Sequence, residues 1–116
     1  MEKVLVVGAG FMGSGIAQVS AQAGYQVHLM DIQTVITDRA LRDIRWSVEK
    51  LESKGLLREP SQKVLARIST EKDLSSASKV DWVIEAALEE EELKHKIFQE
   101  LDRISRPETP LATNTS

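Results

Sequence analysis

The sequence predicts an α/β protein, a doubly wound parallel sheet with a long helical excursion after its second strand. Three observations carry this. Short, largely apolar runs recur at Val4–Val7, Val27–Met30 and Val80–Ala87; their β-branched enrichment suits strands buried on both faces. Amphipathic helical stretches alternate with these runs, the order that builds parallel sheets. The first run leads through Gly8-Ala9-Gly10-Phe11-Met12-Gly13 into a helix, which is the spacing of a dinucleotide-binding turn in a Rossmann-type unit.

Each element follows from local chemistry. In the turn, Gly8 permits the tight bend, Gly10 lets the backbone approach a pyrophosphate, and Gly13 lets the helix pack against the strand. The first helix is expected to keep Ile16, Val19 and Ala23 on one side and to end at Gly24. The second strand closes on Asp31, 18 residues past Gly13. A long helix is predicted from Asp38 to Lys54, ended by Gly55, with Leu41, Ile44, Val48 and Leu51 as its buried stripe. Trp46 lies off that stripe, as a half-exposed packing residue or part of an interface.

Pro60-Ser61 opens a short helix through Leu65, and Ala66 to Ser69 reads as a brief strand. Another short helix covers Asp73 to Ser78. Val80 to Ala87 is the next strand, and Glu89 to Ile104 a helix with Leu93, Ile97, Leu101 and Ile104 in one stripe. Pro107 prevents its continuation, and Leu111-Ala112-Thr113 is a last short strand.

Composition narrows the class. The 116 residues make one domain, 1–116, large enough for a single core but small for an enzyme on this fold. A net charge of −3 offers no basic field for nucleic acid. The absence of cysteine removes disulfides and thiolate metal sites. No apolar stretch approaches the roughly 20 residues of a membrane helix. Met1-Glu2-Lys3 runs directly into the first strand, leaving no room for a targeting peptide. The expectation is a cytoplasmic protein with neither a nucleic-acid nor a membrane partner.

The turn Gly8 to Gly13, Phe11 and Met12 included, is therefore the expected cofactor contact. Phosphate needs no cation there, because the free N–H groups and positive dipole end of the helix serve. Asp31 is placed to accept the hydroxyls of an adenosine ribose, and its charge repels a 2′-phosphate. Positions 32–36 carry no Arg or Lys to relieve that repulsion, so NAD is expected over NADP.

Other charged residues carry less. Glu90, Glu91 and Glu92 complement a helix dipole on a solvated face. Glu89 directly follows a strand and so falls at the carboxyl edge of the sheet, where ligands bind; Lys94 lies one or two turns along the same crevice. His28 sits inside a strand as a packed or edge residue, and His95 on a polar helix face. Neither has an acid nearby in sequence to orient it as a general base. No nucleophile elbow, Walker A sequence or metal-ligand spacing occurs. The chain offers a cofactor site, no metal site and no evident base.

Taken together, Gly8-Ala9-Gly10-Phe11-Met12-Gly13, Val83-Ile84-Glu85-Ala86, Lys94, Phe98, Leu101-Asp102 and Leu111-Ala112-Thr113-Asn114-Thr115-Ser116 resemble the L-3-hydroxyacyl-CoA dehydrogenases. The resemblance spans the chain but only that family's amino-terminal, NAD-binding domain. It implies oxidation of a 3-hydroxyacyl-CoA to a 3-oxoacyl-CoA, in fatty-acid β-oxidation or butanoate metabolism. It also implies that Asp31, Glu89, Lys94, Asn114 and Ser116 line the cofactor crevice. Ser116 would contact the substrate oxygen, and Ser47 and Lys54 the coenzyme A moiety. The family's catalytic histidine, its partnering glutamate and its helical dimerisation domain follow the Asn-Thr-Ser segment, so this resemblance makes the chain a truncated, inactive part of a homodimeric enzyme. A nucleotide sensor or structural module, or a dehydrogenase of 3-hydroxy acids without CoA, are the rival readings.

Overall fold

A computed structural model of the chain describes residues 2–86 and 91–113; the side chains of 91–94, 98 and 111–113 lie outside that description. Five parallel strands form one sheet: β1 (Lys3–Val7), β2 (Gln26–Met30), β3 (Ile68–Glu71), β4 (Trp82–Glu85) and β5 (Leu111–Thr113). Their spatial order is β3-β2-β1-β4-β5. The chain winds outward from β1 in one direction and then returns to pair on its other side. A doubly wound sheet opens its ligand crevice at this switch point, beyond the carboxyl ends of the strands.

Register makes those ends level. Val7 pairs with Met30 on one side and with Glu85 on the other. The Gly8 amide donates to the Met30 carbonyl at 2.8 Å, and the Ala86 amide to the Val7 carbonyl at 2.9 Å. The glycine turn, Asp31 and the end of β4 thus leave the sheet along one rim.

Both faces are covered, as the apolar strand runs require. Val4, Val6, Val27 and Leu29 point to one face, under α1 (Phe11–Gln22), α2 (Thr34–Ser53) and α3 (Ser61–Leu65). Leu5, Val7, Met30 and Val83 point to the other, under α4 (Glu91–Ile104) and a 3-10 turn, Ser75–Lys79.

The structure changes several expected boundaries. The helix predicted from Asp38 begins at Thr34, where the Gln33 amide donates to the Asp31 carboxylate at 3.0 Å. Its buried stripe is Thr37, Ala40, Ile44 and Val48, with Leu41 and Leu51 half-buried at its margin. The strand expected at Ala66–Ser69 lies at Ile68–Glu71, because Ala66 caps α3. The short helix expected at Asp73–Ser78 is the 3-10 turn Ser75–Lys79. The strand expected from Val80 starts at Trp82, since the Asp81 carboxylate is taken by the Lys3 amide at 2.8 Å. The start expected for α4 at Glu89, and Ala87, lie outside the described residues.

The largest correction concerns α1. Val19 is 68% exposed and Ala23 is exposed, while Gly13, Ala17 and Ala21 face the sheet. A Cβ built on Gly13 would lie 1.7 Å from the Gly8 carbonyl oxygen. The helix approaches so closely that its inner face takes only small side chains, and the larger Val19 turns outward.

Candidate functional site

The turn after β1 is made by backbone. Gly8 sits at φ +102, a left-handed conformation that glycine adopts without a Cβ clash. Gly10 caps α1 with no side-chain hydrogen bond, so no side chain competes for the free amides of the first helical turn. A Cβ built on Gly10 meets nothing within 4 Å, which leaves the space in front of those amides open. Free N–H groups, a positive helix end and open space form a cradle for a diphosphate.

Asp31 stands beside it. Its carboxylate accepts from the Ala9 amide at 3.1 Å and from the Gln33 amide at 3.0 Å. The residue expected to meet the ribose is therefore tied to the glycine turn, although 22 residues separate it from Ala9. A small cavity of about 130 Å³ lies here, between Gly8, Met30, Asp31, Gln33 and Ile97. A carboxylate in this place can accept two further hydroxyl donors. These residues fit a dinucleotide such as NAD.

A second cavity, about 370 Å³, adjoins the turn and is lined by Gly10, Phe11, Ser14, Ile36, Arg39 and Asp43. Arg39 is the first cation after Asp31 in the chain, and a search confined to positions 32–36 misses it. Helical spacing carries it from the foot of α2 to the wall beside Gly10.

An open groove of about 800 Å³ runs onward between α1 and α2. Phe11, Met12 and Val19 form one wall, and Asp43, Trp46 and Ser47 the other. Phe11 is 93% exposed and Trp46 65%. Ser47 accepts a hydrogen bond from Gln18 Nε2 at 3.0 Å, which ties the walls together and leaves its own hydroxyl proton free to donate. Lys54 caps the far end of α2 and is exposed, beyond the groove lining. Its signal in sequence is its separation of two helical turns from Ser47, which places both on one side of α2.

The hairpin carrying Lys54 is braced by charge. The Glu52 carboxylate accepts from the Ser61 amide at 2.7 Å and the Ser61 hydroxyl at 2.9 Å. Those two donors hold its carboxyl below the usual range. Arg67 makes a two-pronged bond to Glu59 and donates to the Ala21 carbonyl at 2.8 Å, fastening the hairpin to the end of α1. The Arg67 bond likewise lowers the Glu59 carboxyl.

The expected histidine placements hold in part. His95 is exposed on α4. His28 lies in β2, an internal strand, and its Nδ1 is 2.5 Å from a Glu71 carboxylate oxygen on β3. That expectation covers acids near in sequence; the fold brings one to His28 from a neighbouring strand, 43 positions away. His28 itself is three residues short of Asp31, roughly 10 Å below the rim, while Glu71 pairs with Met30 and its carbonyl accepts from the Asp31 amide at 3.1 Å. Glu89, Asn114 and Ser116 lie outside the described residues, as does the side chain of Lys94.

Comparison with known proteins agrees with this geometry. The family model for the NAD-binding domain of 3-hydroxyacyl-CoA dehydrogenase matches residues 3–116. A probable 3-hydroxybutyryl-CoA dehydrogenase from Deinococcus radiodurans is 42% identical over 96% of this chain and 40% of its own length. The crystal structure of the Escherichia coli 3-hydroxybutyryl-CoA dehydrogenase superposes with a TM-score of 0.93 at 37% identity, over 99% of this chain and 25% of that one. The (S)-3-hydroxybutyryl-CoA dehydrogenase of Ralstonia eutropha gives 0.91 at 36% identity, over 100% and 41%. The chain thus spans about two fifths of the length of such curated relatives.

Proposed function

The chain belongs to the family of 3-hydroxyacyl-CoA dehydrogenase NAD-binding domains, and from that premise we propose that it is the cofactor half of an enzyme oxidising a 3-hydroxyacyl-CoA to its 3-oxo thioester. NAD, when bound, supplies the hydride acceptor. The observation that carries the proposal is adjacency: the cavity at Gly10 and the α1–α2 groove share Phe11, Ser14 and Asp43 in their walls. A second long ligand seated in the groove would therefore lie beside a nucleotide held at Gly10.

Within this reading, the amides after Gly10 bind the pyrophosphate and Asp31 orients the adenosine ribose. Glu89, Lys94 and Asn114 line the rest of the crevice. Ser116 donates to the substrate oxygen, and Ser47 and Lys54 hold the coenzyme A moiety. A serine hydroxyl is a poor base without an activating neighbour, so loss of the C3 hydroxyl proton needs a further residue. His95 on its solvated face and His28 below the rim do not supply it. NAD is the preferred dinucleotide because Asp31 repels a 2′-phosphate. In this reading the full-length protein serves fatty-acid β-oxidation or butanoate metabolism and is a cytoplasmic homodimer.

The test is acyl-CoA binding and turnover by the full-length protein. Lys54→Glu should weaken acetoacetyl-CoA about three- to tenfold and leave NADH affinity unchanged. The 116-residue chain alone should bind NADH but reduce acetoacetyl-CoA far more slowly. Equal acetoacetyl-CoA affinity for Lys54→Glu and wild type would remove the Lys54 assignment. Robust turnover by the chain alone, lost on His95→Ala, would make His95 the base.

A further inference from the structure

Trp46 is an indole without a packing reason. The buried stripe of α2 is Thr37, Ala40, Ile44 and Val48, and Trp46 projects from another side with 65% of its surface exposed. It shares the groove with Phe11, Met12 and Val19, all exposed, and a contiguous exposed apolar surface of this kind marks an interaction site. Lys50, one turn further, places its ammonium 4.6 Å from the ring centroid. That contact holds the indole by a cation–π attraction and covers one of its faces. With 65% of its surface exposed, the indole keeps ring area accessible to a planar partner.

The surrounding charges say what kind of partner. At about 100° per residue, Trp46, Lys50, Lys54 and Ser47 fall within an arc of roughly 100° around α2. Among the described residues neither Lys50 nor Lys54 forms an ion pair. The same arc also carries Arg39 and Asp43, so this helix face offers an aromatic plane, three cations against one carboxylate, and a hydroxyl able to donate. An aromatic base carrying phosphates suits the plane and the net positive charge; a purely apolar peptide would leave the cations unused.

We propose that Trp46 is the stacking platform for the adenine base of the acyl-CoA, with Lys50 fixing the indole and joining Lys54 at the phosphates of the same nucleotide. This rests on the acyl-CoA reading of the groove and adds to it a specificity-determining residue for the nucleotide end of the substrate. Base stacking on an aromatic side chain commonly changes affinity by about tenfold or more.

The test compares two thioesters in the full-length protein: acetoacetyl-CoA, and acetoacetyl-pantetheine, which lacks the nucleotide. Trp46→Leu should raise KM about tenfold for acetoacetyl-CoA, leave its kcat unchanged, and leave both constants for acetoacetyl-pantetheine unchanged. Calorimetry should show adenosine 3′,5′-bisphosphate binding that Trp46→Leu weakens and Trp46→Phe largely restores. An unchanged KM for acetoacetyl-CoA, or an equal rise for both thioesters, overturns the proposal. So does a Trp46→Leu protein whose main change is dissociation of its subunits, which would make the indole an interface residue. Failure of the wild-type protein to bind either thioester would instead refute the acyl-CoA reading itself.

Discussion

The nucleotide turn and the α1–α2 groove adjoin at Phe11 and are built by opposite means. The turn uses almost no side chains: it is open amides, a helix end and glycines that keep Cβ atoms out of the way. The groove is made of side chains, among them Phe11, Met12, Val19 and Trp46, held in water-facing positions on two helices. A backbone site tolerates no substitution at its glycines and can be tuned at few places beside them, Asp31 being one. A side-chain site can be retuned residue by residue. The first suits a cofactor shared by many enzymes, and the second a substrate that differs among them.

Gly13 gives the largest expected effect in this contrast. Gly13→Val would place a Cβ 1.7 Å from the Gly8 carbonyl oxygen, so the cooperative thermal transition seen by circular dichroism should be lost. A folded variant with a wild-type melting curve would show that helix and strand can separate there at little cost. Gly10 should behave differently three residues away. Its Cβ direction is empty, so Gly10→Val should keep the wild-type melting curve while calorimetry detects no NADH binding. Retained NADH affinity would mean that the cradle does not hold the pyrophosphate.

Asp31 tests a side chain that, among the described residues, is hydrogen-bonded to the turn. Removing a charged acceptor of two ribose hydroxyls costs about 1.5–3 kcal/mol, so Asp31→Ala should weaken NADH about ten- to hundredfold. NADPH, no longer repelled, should lose much less, and the gap between the two should narrow. A wild-type protein binding both equally would contradict the selectivity argument, and would point to Arg39 beside Gly10 as the compensating cation.

The smallest effect belongs to the brace behind the groove. Glu52 and Glu59 both have carboxyl pKa values lowered from 4.5 on folding. Their stabilising contribution is therefore complete above that value and disappears as pH falls below it through the folded-state values. Both are partly solvated, so the contribution is modest. Glu59→Gln should lower the melting temperature at neutral pH by roughly 2–4 °C and reduce the additional loss seen on acidification. An identical acid profile in variant and wild type would show that the Arg67–Glu59 bond does not stabilise the hairpin.

The amino-acid sequence was sufficient for what depends on neighbours in the chain. Apolar runs of strand length, the glycine spacing and the acid closing β2 specified an α/β sheet, its crevice and the turn at its mouth, because each is a local pattern of period, flexibility or charge. It misjudged α1, since periodicity counts large apolar residues and the face toward the sheet is marked by small ones, Gly13, Ala17 and Ala21. The tertiary structure alone decided the rest. Glu71 reaches His28 from the adjacent strand, Arg39 arrives beside Gly10 from the next helix, and Ser47 meets Gln18 over a gap of 29 positions. These pairings depend on how the sheet orders its strands and how closely α2 lies on α1, and no spacing along the chain encodes a distance between elements.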